Sequence, residues 1–481
     1  MHLADSRAPY RTSKRYASEV LDLMEKQWDM SPASVLISIT GGAQDFVLPP
    51  RLNKAFRHGL ARAAQATNAW VFTGGTDSGV MQLVGQAIAE YNVSCACIGV
   101  VTWGVVLGRD HLRDLRGETA ELAQATNNSA EGANLEPNHT HLLLIDSGKE
   151  GATAWGGEIA FRFQLEKEYC LRRKVPRVLL VVQGGPGTLA SILAAIEGES
   201  PVVLVRDSGG VATLLDHFLN TYKDAGSVFY QKGEIMAAFE KSYGPKRDVL
   251  TVIAELDSKA HKVSSFGLTE NSTAELDLHL LNAVINDETQ VPPEKRLRLA
   301  VEWNRKDVVE RVLRGLRSTT DEEKASAEGA LRGALQCAVE LRAAAMAQHD
   351  GGRVQIIKLL VAQNPSIVSK LDFLALYRSE SRIFLDSPKL WQALATLLPY
   401  YLATLPPYHL TTVLPYHLAT LPPYYLTYCG RRSSPTKPCA PTAAPRPSRS
   451  TARCCSPSST RLCRAWPSGS RWSRGSPSPT C

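Results

Sequence analysis

The apolar residues between positions 31 and 205 form short, nearly uninterrupted runs that alternate with segments of helical periodicity. A run such as Arg177–Val182 is apolar at almost every position, which is typical of a strand buried on both faces of a sheet. Segments such as Leu52–Gln65 and Met81–Glu90 instead repeat apolar residues at intervals of three and four, as amphipathic helices do. The predicted strands are Val35–Ile39, Trp70–Phe72, Cys95–Val101, His141–Ile145, Arg177–Val182 and Val202–Val205. This alternation predicts an α/β fold built on a doubly wound, Rossmann-like parallel sheet.

Beyond about residue 274 the strand signal gives way to helical periodicity, and two stretches resemble each other. Leu299–Leu313 predicts a short helix, a polar turn and a second helix that ends in aliphatic residues. Cys337–Leu341, followed by Gly352–Leu360, repeats that arrangement. Paired helices of this kind are typical of helical repeats, so we expect an α-helical, repeat-like domain here.

The last eighty or so residues differ from the rest of the chain in composition. Residues 398–428 repeat proline, tyrosine and leucine every eight positions and contain no Asp, Glu, Lys or Arg. Because a proline in each repeat would interrupt the hydrogen bonds of a spanning helix, we expect no membrane span. Residues 429–481 are rich in Arg, Ser, Pro and Cys, which predicts a disordered tail without a core. Such a tail would also arise from a shifted reading frame, a hypothesis that transcript sequencing would test.

These shifts divide the chain into five predicted segments. They are a lead-in over 1–30, the α/β domain over 31–270, the helical domain over 271–397, the tandem repeat over 398–428 and the tail over 429–481.

The net charge of the chain is misleading unless it is divided in the same way. The formal net charge of the whole chain is +7. Residues 431–481 contain ten Lys or Arg and no acid, so subtracting their charge of +10 leaves a net charge of −3 for the first 430 residues. The body therefore lacks an overall basic character, and no nucleic-acid partner is expected. Four scattered cysteines in the body indicate a reducing compartment, and the charged first 30 residues contain no signal-peptide core. A cytoplasmic location is expected.

Three glycine clusters each follow a predicted strand. They are Thr40–Ala43, Thr73–Met81 and Gln183–Leu189, and the last two run into helices. In an open parallel sheet these turns emerge together at the carboxyl ends of the strands, where ligands bind. Glycine admits an anion close to the backbone, and N–H groups at a helix start hold phosphate. Tight βα turns alone also explain glycines, but three clusters on one edge favour a phosphate or nucleotide site.

The second and third clusters resemble the two signatures of the SLOG superfamily, which includes the LOG cytokinin-activating phosphoribohydrolases. More closely, the chain resembles the cytosolic N-terminal region of melastatin-type transient receptor potential (TRPM) channels. The resemblance extends in order through residues 31–375. The segments that carry it are Ser34–Asp45, Pro50–Met81, Ile98–Arg109, Glu136–Gly148, Gly156–Glu168, Val181–Thr188 and Leu299–Leu313.

This resemblance implies a ligand-sensing α/β domain, which in some members binds ADP-ribose or a related nucleotide, with no cofactor required. It also implies that the ankyrin-like helical region contacts other TRPM-type subunits of a tetramer. By position, the residues carried over as ligand-binding are Gly41, Gly42, Gly74, Gly75, Thr76, Ser78, Gly79, Arg162, Gly184, Gly185, Gly187 and Thr188. Arg162 has a second interpretation, an i,i+4 ion pair with Glu158 or Glu166 on an exposed helix face.

Two departures from the family patterns bear on activity. Gly210 stands where the nucleotide-binding channels carry an arginine, so one phosphate clamp is expected to be missing. Ser191 stands where the LOG enzymes carry their catalytic glutamate, which argues against enzymatic hydrolysis. The expected function is therefore the nucleotide-sensing and assembly region of a TRPM-like cation channel, without a pore of its own. The alternatives are a LOG-like nucleotide phosphoribohydrolase and an assembly module that binds no ligand.

Other candidate residues favour structural explanations. Cys95 and Cys97 lie on one face of a strand and are expected to pack in the core, with no metal site. His139 and His141 could ligate a metal but have no thiolate or acidic companion in the adjacent sequence. The basic helix is expected to be a solvated face, with an inositol phosphate or a partner subunit as the alternative. Its residues are Arg51, Lys54, Arg57, His58 and Arg62.

Overall fold

A seven-stranded parallel sheet forms the centre of this protein in its computed structural model. The structure describes residues 13–113, 132–225, 259–268, 275–287, 291–316, 320–344, 351–364 and 367. The strands are β1 (Leu36–Gly41), β2 (Trp70–Thr73), β3 (Ala96–Thr102), β4 (His141–Ile145), β5 (Arg177–Val182), β6 (Val202–Val205) and β7 (Val263–Phe266). Their order across the sheet is β4-β3-β2-β1-β5-β6-β7, with every neighbouring pair parallel. All six predicted strands are therefore confirmed, three of them with the predicted ends and three with ends shifted by one or two residues.

Helices cover both faces of the sheet and continue beyond it. Those of the α/β part are α1 (Ser13–Lys26), α2 (Pro50–Thr67), α3 (Gly79–Glu90), α4 (Arg109–Arg113), α5 (Ile159–Arg173), α6 (Pro186–Glu197) and α7 (Gly210–Ala225). The later helices are α8 (Leu276–Ile285), α9 (Pro293–Glu302), α10 (Lys306–Gly315), α11 (Asp321–Ala344) and α12 (Gly351–Gln363). Helices α9 and α10 lie where Leu299–Leu313 predicts two helices, and α11 and α12 contain the predicted helical segments Cys337–Leu341 and Gly352–Leu360.

Alternate side chains of each strand enter different apolar cores, which is the signature of a doubly wound sheet. On β1, Ile37 and Ile39 pack with α2, α3 and α8 in one core. Leu36 faces the opposite side, in a core that includes residues of α1 and α5. Helices α6 and α7 extend that second face over β5 and β6. The predicted fold class is thus confirmed.

Two elements of the sheet domain were not predicted from sequence. The edge strand β7 reads Val-Ser-Ser-Phe, with the serines half-buried, so it lacks the continuous apolar run of a central strand. Helix α1 lies within the segment predicted as a lead-in, yet Leu21 and Met24 are fully buried against the sheet domain. Arg172 of α5 also donates to Asp22 of α1 at 2.6 Å. The residues before 31 therefore contribute to the core.

Helix α8 joins the sheet domain to the later helices through a close contact with α2. A Cβ built on Gly59 of α2 would lie 2.6 Å from the Cβ of Leu276, so the two helices meet at the glycine. Beside this contact, Arg62 pairs with Asp277 at 3.2 Å, and Arg305 pairs with Glu275. Burial raises the pKa of Asp277, whereas the hydrogen bond from Arg305 lowers the pKa of Glu275. The apolar core continues without a break from the sheet into α9, α11 and α12.

Among the described residues, no helix combines the length and the apolar character that crossing a bilayer requires. The predicted tandem repeat over 398–428 and the predicted tail over 429–481 lie outside the described residues.

Substituting Gly59 by alanine should destabilise the protein, although alanine favours helices by about 1 kcal/mol. The added methyl group would meet the Leu276 side chain, and overpacking of this kind costs about 1–3 kcal/mol. Gly333 of α11 provides the matched control, since it is exposed and a Cβ built there meets no atom within 4 Å. Chemical denaturation should show a loss of stability for Gly59→Ala and a small gain for Gly333→Ala. Equal gains in both variants would contradict a tight contact between α2 and α8.

Candidate functional site

The strand order places a crevice between β1 and β5. From β1 the chain builds outward through β2 and β3 to β4, and then continues on the other side of β1 with β5, β6 and β7. At such a reversal the connections after the two central strands leave toward opposite faces, and the space between them is where α/β proteins bind ligands. A cleft of about 1010 Å³ occupies this position. Its walls are the turns after β1, β2 and β5 and the first turns of α5.

Most of the predicted ligand-binding residues border this cleft. They are Gly41, Gly42, Gly74, Thr76, Ser78, Arg162, Gly184, Gly185, Gly187 and Thr188. The structure thus brings residues from positions 41 to 188 to one place, as expected of turns at one sheet edge. Binding of a ligand by these residues stays a prediction.

Gly75 and Gly79, which were also predicted to bind ligand, border other parts of the protein. Gly75 has a φ of +70°, and a Cβ there would lie 2.8 Å from the Cα of Gly99 on β3. Gly79 has a φ of +54°, and a Cβ there would lie 2.0 Å from the carbonyl oxygen of Gly42. Both glycines therefore shape the second turn and allow its close approach to neighbouring backbone.

The first and third glycine turns are joined across the crevice. The N–H of Gly42 donates to the carbonyl of Val182 at 3.1 Å, and Thr188 Oγ1 donates to the carbonyl of Gly41 at 3.1 Å. A Cβ on Gly41 would lie 2.0 Å from the Val182 oxygen, so only glycine permits this approach. Thr188 Oγ1 also accepts the N–H of Gly185 at 3.2 Å. The two turns therefore form one rigid wall at the start of α6.

Arg162 borders the cleft, and the protein engages its Nε and one of its two terminal nitrogens, Nη2. Its Nε donates to Glu166 Oε1 at 2.9 Å, which confirms the alternative interpretation of an i,i+4 pair. The exposed helix face of that interpretation is wrong, because the Arg162 side chain is only 12% exposed. Its Nη2 lies 2.9 Å from the carbonyl oxygens of both Ile39 and Phe72. The guanidinium thus fastens α5 to the ends of β1 and β2.

Glu166 connects this arginine to a second one. Its carboxylate is 3% exposed, accepts the Ser38 hydroxyl at 2.8 Å and contacts Arg177 Nη1 at 3.3 Å. Arg177 in turn donates to Ser200 Oγ at 2.9 Å and lies over the ring of Phe163 at 4.5 Å. Both guanidinium groups that line the cleft therefore share one carboxylate.

The two positions that depart from the family patterns also border the cleft. The Ser191 hydroxyl donates to the carbonyl of Gly187 at 3.3 Å, one turn earlier in α6, and brings no carboxylate to the site. Gly210 has a φ of +55°, and a Cβ there would lie 2.4 Å from the carbonyl oxygen of Gly184. An arginine at position 210 would therefore require the third turn to move.

Trp155, Glu158 and Thr102 border the cleft but were not among the predicted ligand-binding residues. Trp155 precedes α5 between small residues. Glu158 borders the cleft at the start of α5 and accepts a hydrogen bond from Thr102 at the end of β3. Their positions in the sequence could have indicated this, since each of the three residues lies next to the end of a strand or the start of a helix on the same sheet edge.

The remaining chemical candidates have structural partners. Both ring nitrogens of His139 are engaged at 2.6 Å, by Glu136 and by Thr73, so metal ligation through either nitrogen would cost one of these contacts. The expectation that His139 has no acidic companion is wrong, because Glu136 lies three residues earlier. His141 stacks on Trp28 with ring centroids 5.2 Å apart, and burial lowers its pKa. Cys97 is fully buried, and burial raises the pKa of Cys95 to about 12, which fits the predicted core packing.

The basic residues of α2 divide between ion pairs and solvent. Arg57 pairs with Glu90, and Arg62 pairs with Asp277 at 3.2 Å. Arg51, Lys54 and His58 are exposed, as predicted for a solvated face.

A parallel sheet with glycine turns around a crevice at the reversal of strand order defines a Rossmann-like class of α/β protein. The family model described as "SLOG in TRPM" matches residues 10–255, and the chain belongs to this family.

Several cation channels are similar to this chain. Transient receptor potential cation channel subfamily M member-like 2 of Nematostella vectensis is 33% identical over 336 residues, covering 63% of this chain and 21% of the channel. Subfamily M member 2 of Mus musculus is 30% identical over 319 residues, covering 61% of this chain and 21% of that channel. The trpm channel of Drosophila melanogaster is 30% identical over 314 residues, covering 60% of this chain and 15% of that channel. The aligned part of this chain thus spans about a fifth or less of these relatives.

Replacing Arg162 by methionine should destabilise the protein by about 3 kcal/mol, because it removes one of the two cations that pair with the buried Glu166 carboxylate. The carbonyl oxygens of Ile39 and Phe72 would also lose a donor. Arg15→Met is the control, since Arg15 forms the same i,i+4 pair with Glu19 but is 85% exposed. Denaturant unfolding should show a large loss for the first variant and no measurable change for the second. Similar small changes in both variants would contradict the role of Arg162 in holding α5 to β1 and β2.

Proposed function

We propose that this chain is the nucleotide-sensing and assembly region of a TRPM-like cation channel, and that ADP-ribose or a related nucleotide binds in the cleft between β1 and β5. The observation that carries the proposal is the meeting of three glycine turns at the reversal of strand order. Membership of the SLOG in TRPM family and the channel names of the similar proteins support it.

The second and third turns offer donors suited to phosphate. Thr76 and Ser78 border the cleft with their hydroxyl groups 3.2 Å apart. Gly187 borders it in the first turn of α6, and its N–H is the donor left in this turn, because Pro186 has no N–H and Thr188 and Leu189 donate to the Gly185 carbonyl. Backbone N–H groups at a helix start bind anions without a cationic side chain. These donors would hold a phosphate group between the two turns.

The opposite wall suits a nucleoside. The indole of Trp155 provides a flat apolar surface on which a base can stack. Glu158 lies three residues away and provides a carboxylate, the group that α/β dinucleotide sites use to accept ribose hydroxyls. Base and ribose would therefore lie toward α5, with the phosphates toward α6.

The charge of the cleft limits which nucleotides it favours. Its charged side chains are three carboxylates, Asp45, Glu158 and Glu166, and two guanidinium groups, Arg162 and Arg177. Because Glu166 occupies both arginines, a diphosphate would bind mainly through backbone and hydroxyl donors. Gly210 removes the arginine of the family pattern, which weakens the site further. Ligands with one or two phosphates are favoured over triphosphates.

Ligand binding could be transmitted through α2. The first glycine turn leads into this helix, and Asp45 of that turn accepts the N–H of Gly79 at 3.0 Å. At its other end α2 packs on α8 at Gly59 and pairs with Asp277. A nucleotide that orders the first turn would bias the packing of the sheet on the later helices. In an assembled channel, on the cytosolic face of a membrane, this change in packing would alter the contacts of the later helices with neighbouring TRPM-type subunits.

Isothermal titration calorimetry of the full chain with ADP-ribose, AMP and cyclic ADP-ribose tests the proposal. We expect saturable binding of at least one of the three without turnover. Trp155→Ala should weaken it by about tenfold, since base stacking contributes roughly 1–3 kcal/mol. Trp28→Ala is the control, because Trp28 stacks on His141 outside the cleft.

The other outcomes separate the alternatives. Release of ribose 5-phosphate from AMP would support a LOG-like hydrolase. No heat with any of the three nucleotides would support an assembly module without a ligand.

A further inference from the structure

A buried chain of polar groups lies directly behind the second glycine turn. His139 Nδ1 lies 2.6 Å from Glu136 Oε2, and His139 Nε2 lies 2.6 Å from Thr73 Oγ1. Thr73 Oγ1 also accepts the N–H of Gly75 at 2.9 Å. The His139 and Glu136 side chains are 0% and 1% exposed, and Thr73 is fully buried.

The hydrogen bonds determine where the protons lie. An ionised Glu136 can only accept, so His139 Nδ1 carries a proton. If Nε2 is unprotonated, Thr73 donates its hydroxyl proton to it and accepts the N–H of Gly75, and every group is satisfied. The arrangement in which Nδ1 donates to Glu136 and Thr73 donates to Nε2 therefore gives each of these buried groups a partner.

The backbone of the same segment holds the second turn as well. The N–H of Glu136 donates to the carbonyl of Gly75 at 3.0 Å, and the N–H of Asp77 donates to the carbonyl of Asn134 at 2.8 Å. Helix α3 makes room for the Glu136 carboxylate with Gly85, where a Cβ would lie 2.0 Å from the Glu136 carboxyl carbon. Gly75 is therefore fixed through both its N–H and its carbonyl.

We propose that Glu136, His139 and Thr73 are positioning residues that fix the second glycine turn in the conformation that presents Thr76 and Ser78 to the cleft. They do not form a nucleophilic triad, because Thr73 is fully buried and does not border the cleft. The consequence for ligand affinity rests on the proposed function. The restraint on Gly75 is a property of the protein without ligand.

Two measurements on the ligand-free full chain test the restraint. Long-range ¹H–¹⁵N NMR of the wild-type imidazole should show a proton on Nδ1 of His139. Thr73→Val removes the hydroxyl at similar volume and should speed amide hydrogen exchange of Gly75 by about tenfold, which corresponds to about 1.4 kcal/mol for a lost hydrogen bond. Thr73→Ser keeps the hydroxyl and should exchange at the wild-type rate.

A wild-type imidazole without a proton on Nδ1 would overturn the proposal, because the ring could then not donate to Glu136, and this result needs no variant. Equal exchange at Gly75 in wild type and Thr73→Val would also overturn it. The role in binding is tested separately with ADP-ribose, which Thr73→Val should bind about tenfold more weakly than Thr73→Ser does. If the wild type binds no ADP-ribose, the proposed ligand is wrong, while the NMR and exchange results still decide whether the restraint exists.

Discussion

The architecture of the cleft depends on one buried carboxylate. Glu166 of α5 accepts the hydroxyl of Ser38 and pairs with Arg162 and Arg177. Through these partners it connects α5 to β1, β2 and β5, the strands whose turns surround the cleft. Buried guanidinium groups are stable only when paired and hydrogen-bonded, so the carboxylate and the two arginines depend on each other. The glycine turns can approach one another closely because the strands below them are fastened in this way.

The same constraint decides what the cleft can offer a ligand. The guanidinium groups of Arg162 and Arg177 pair with Glu166, so a phosphate that pairs with them in its place must compete with this carboxylate. Recognition in the proposed site therefore falls to backbone N–H groups, the hydroxyls of Thr76 and Ser78 and the indole of Trp155. A site of this type selects by shape and donor position more than by charge. The glycine at position 210 fits this picture, because its φ of +55° and its close approach to Gly184 leave no space for a cationic side chain.

Most of the sheet could be predicted because central parallel strands must be apolar on both faces, as in Arg177–Val182. The edge strand β7 could not, since two of its four residues are half-buried serines. Glycine turns could be placed at one sheet edge from topology alone, but the direction in which Gly75 and Gly79 face depends on contacts with β3 and the first turn. The engagement of Arg162 was equally inaccessible, because Ser38 and Phe72 are distant in sequence.

The central claim is that a nucleotide occupies the crevice between β1 and β5, and its location can be measured directly. Photoaffinity labelling of the full chain with 8-azido-ADP-ribose, followed by peptide mapping, reports where the base lies. The account predicts covalent label within residues 155–163, beside Trp155 and the start of α5, and loss of that label in the presence of excess ADP-ribose. Competable label confined to the helices over residues 293–363 would contradict it.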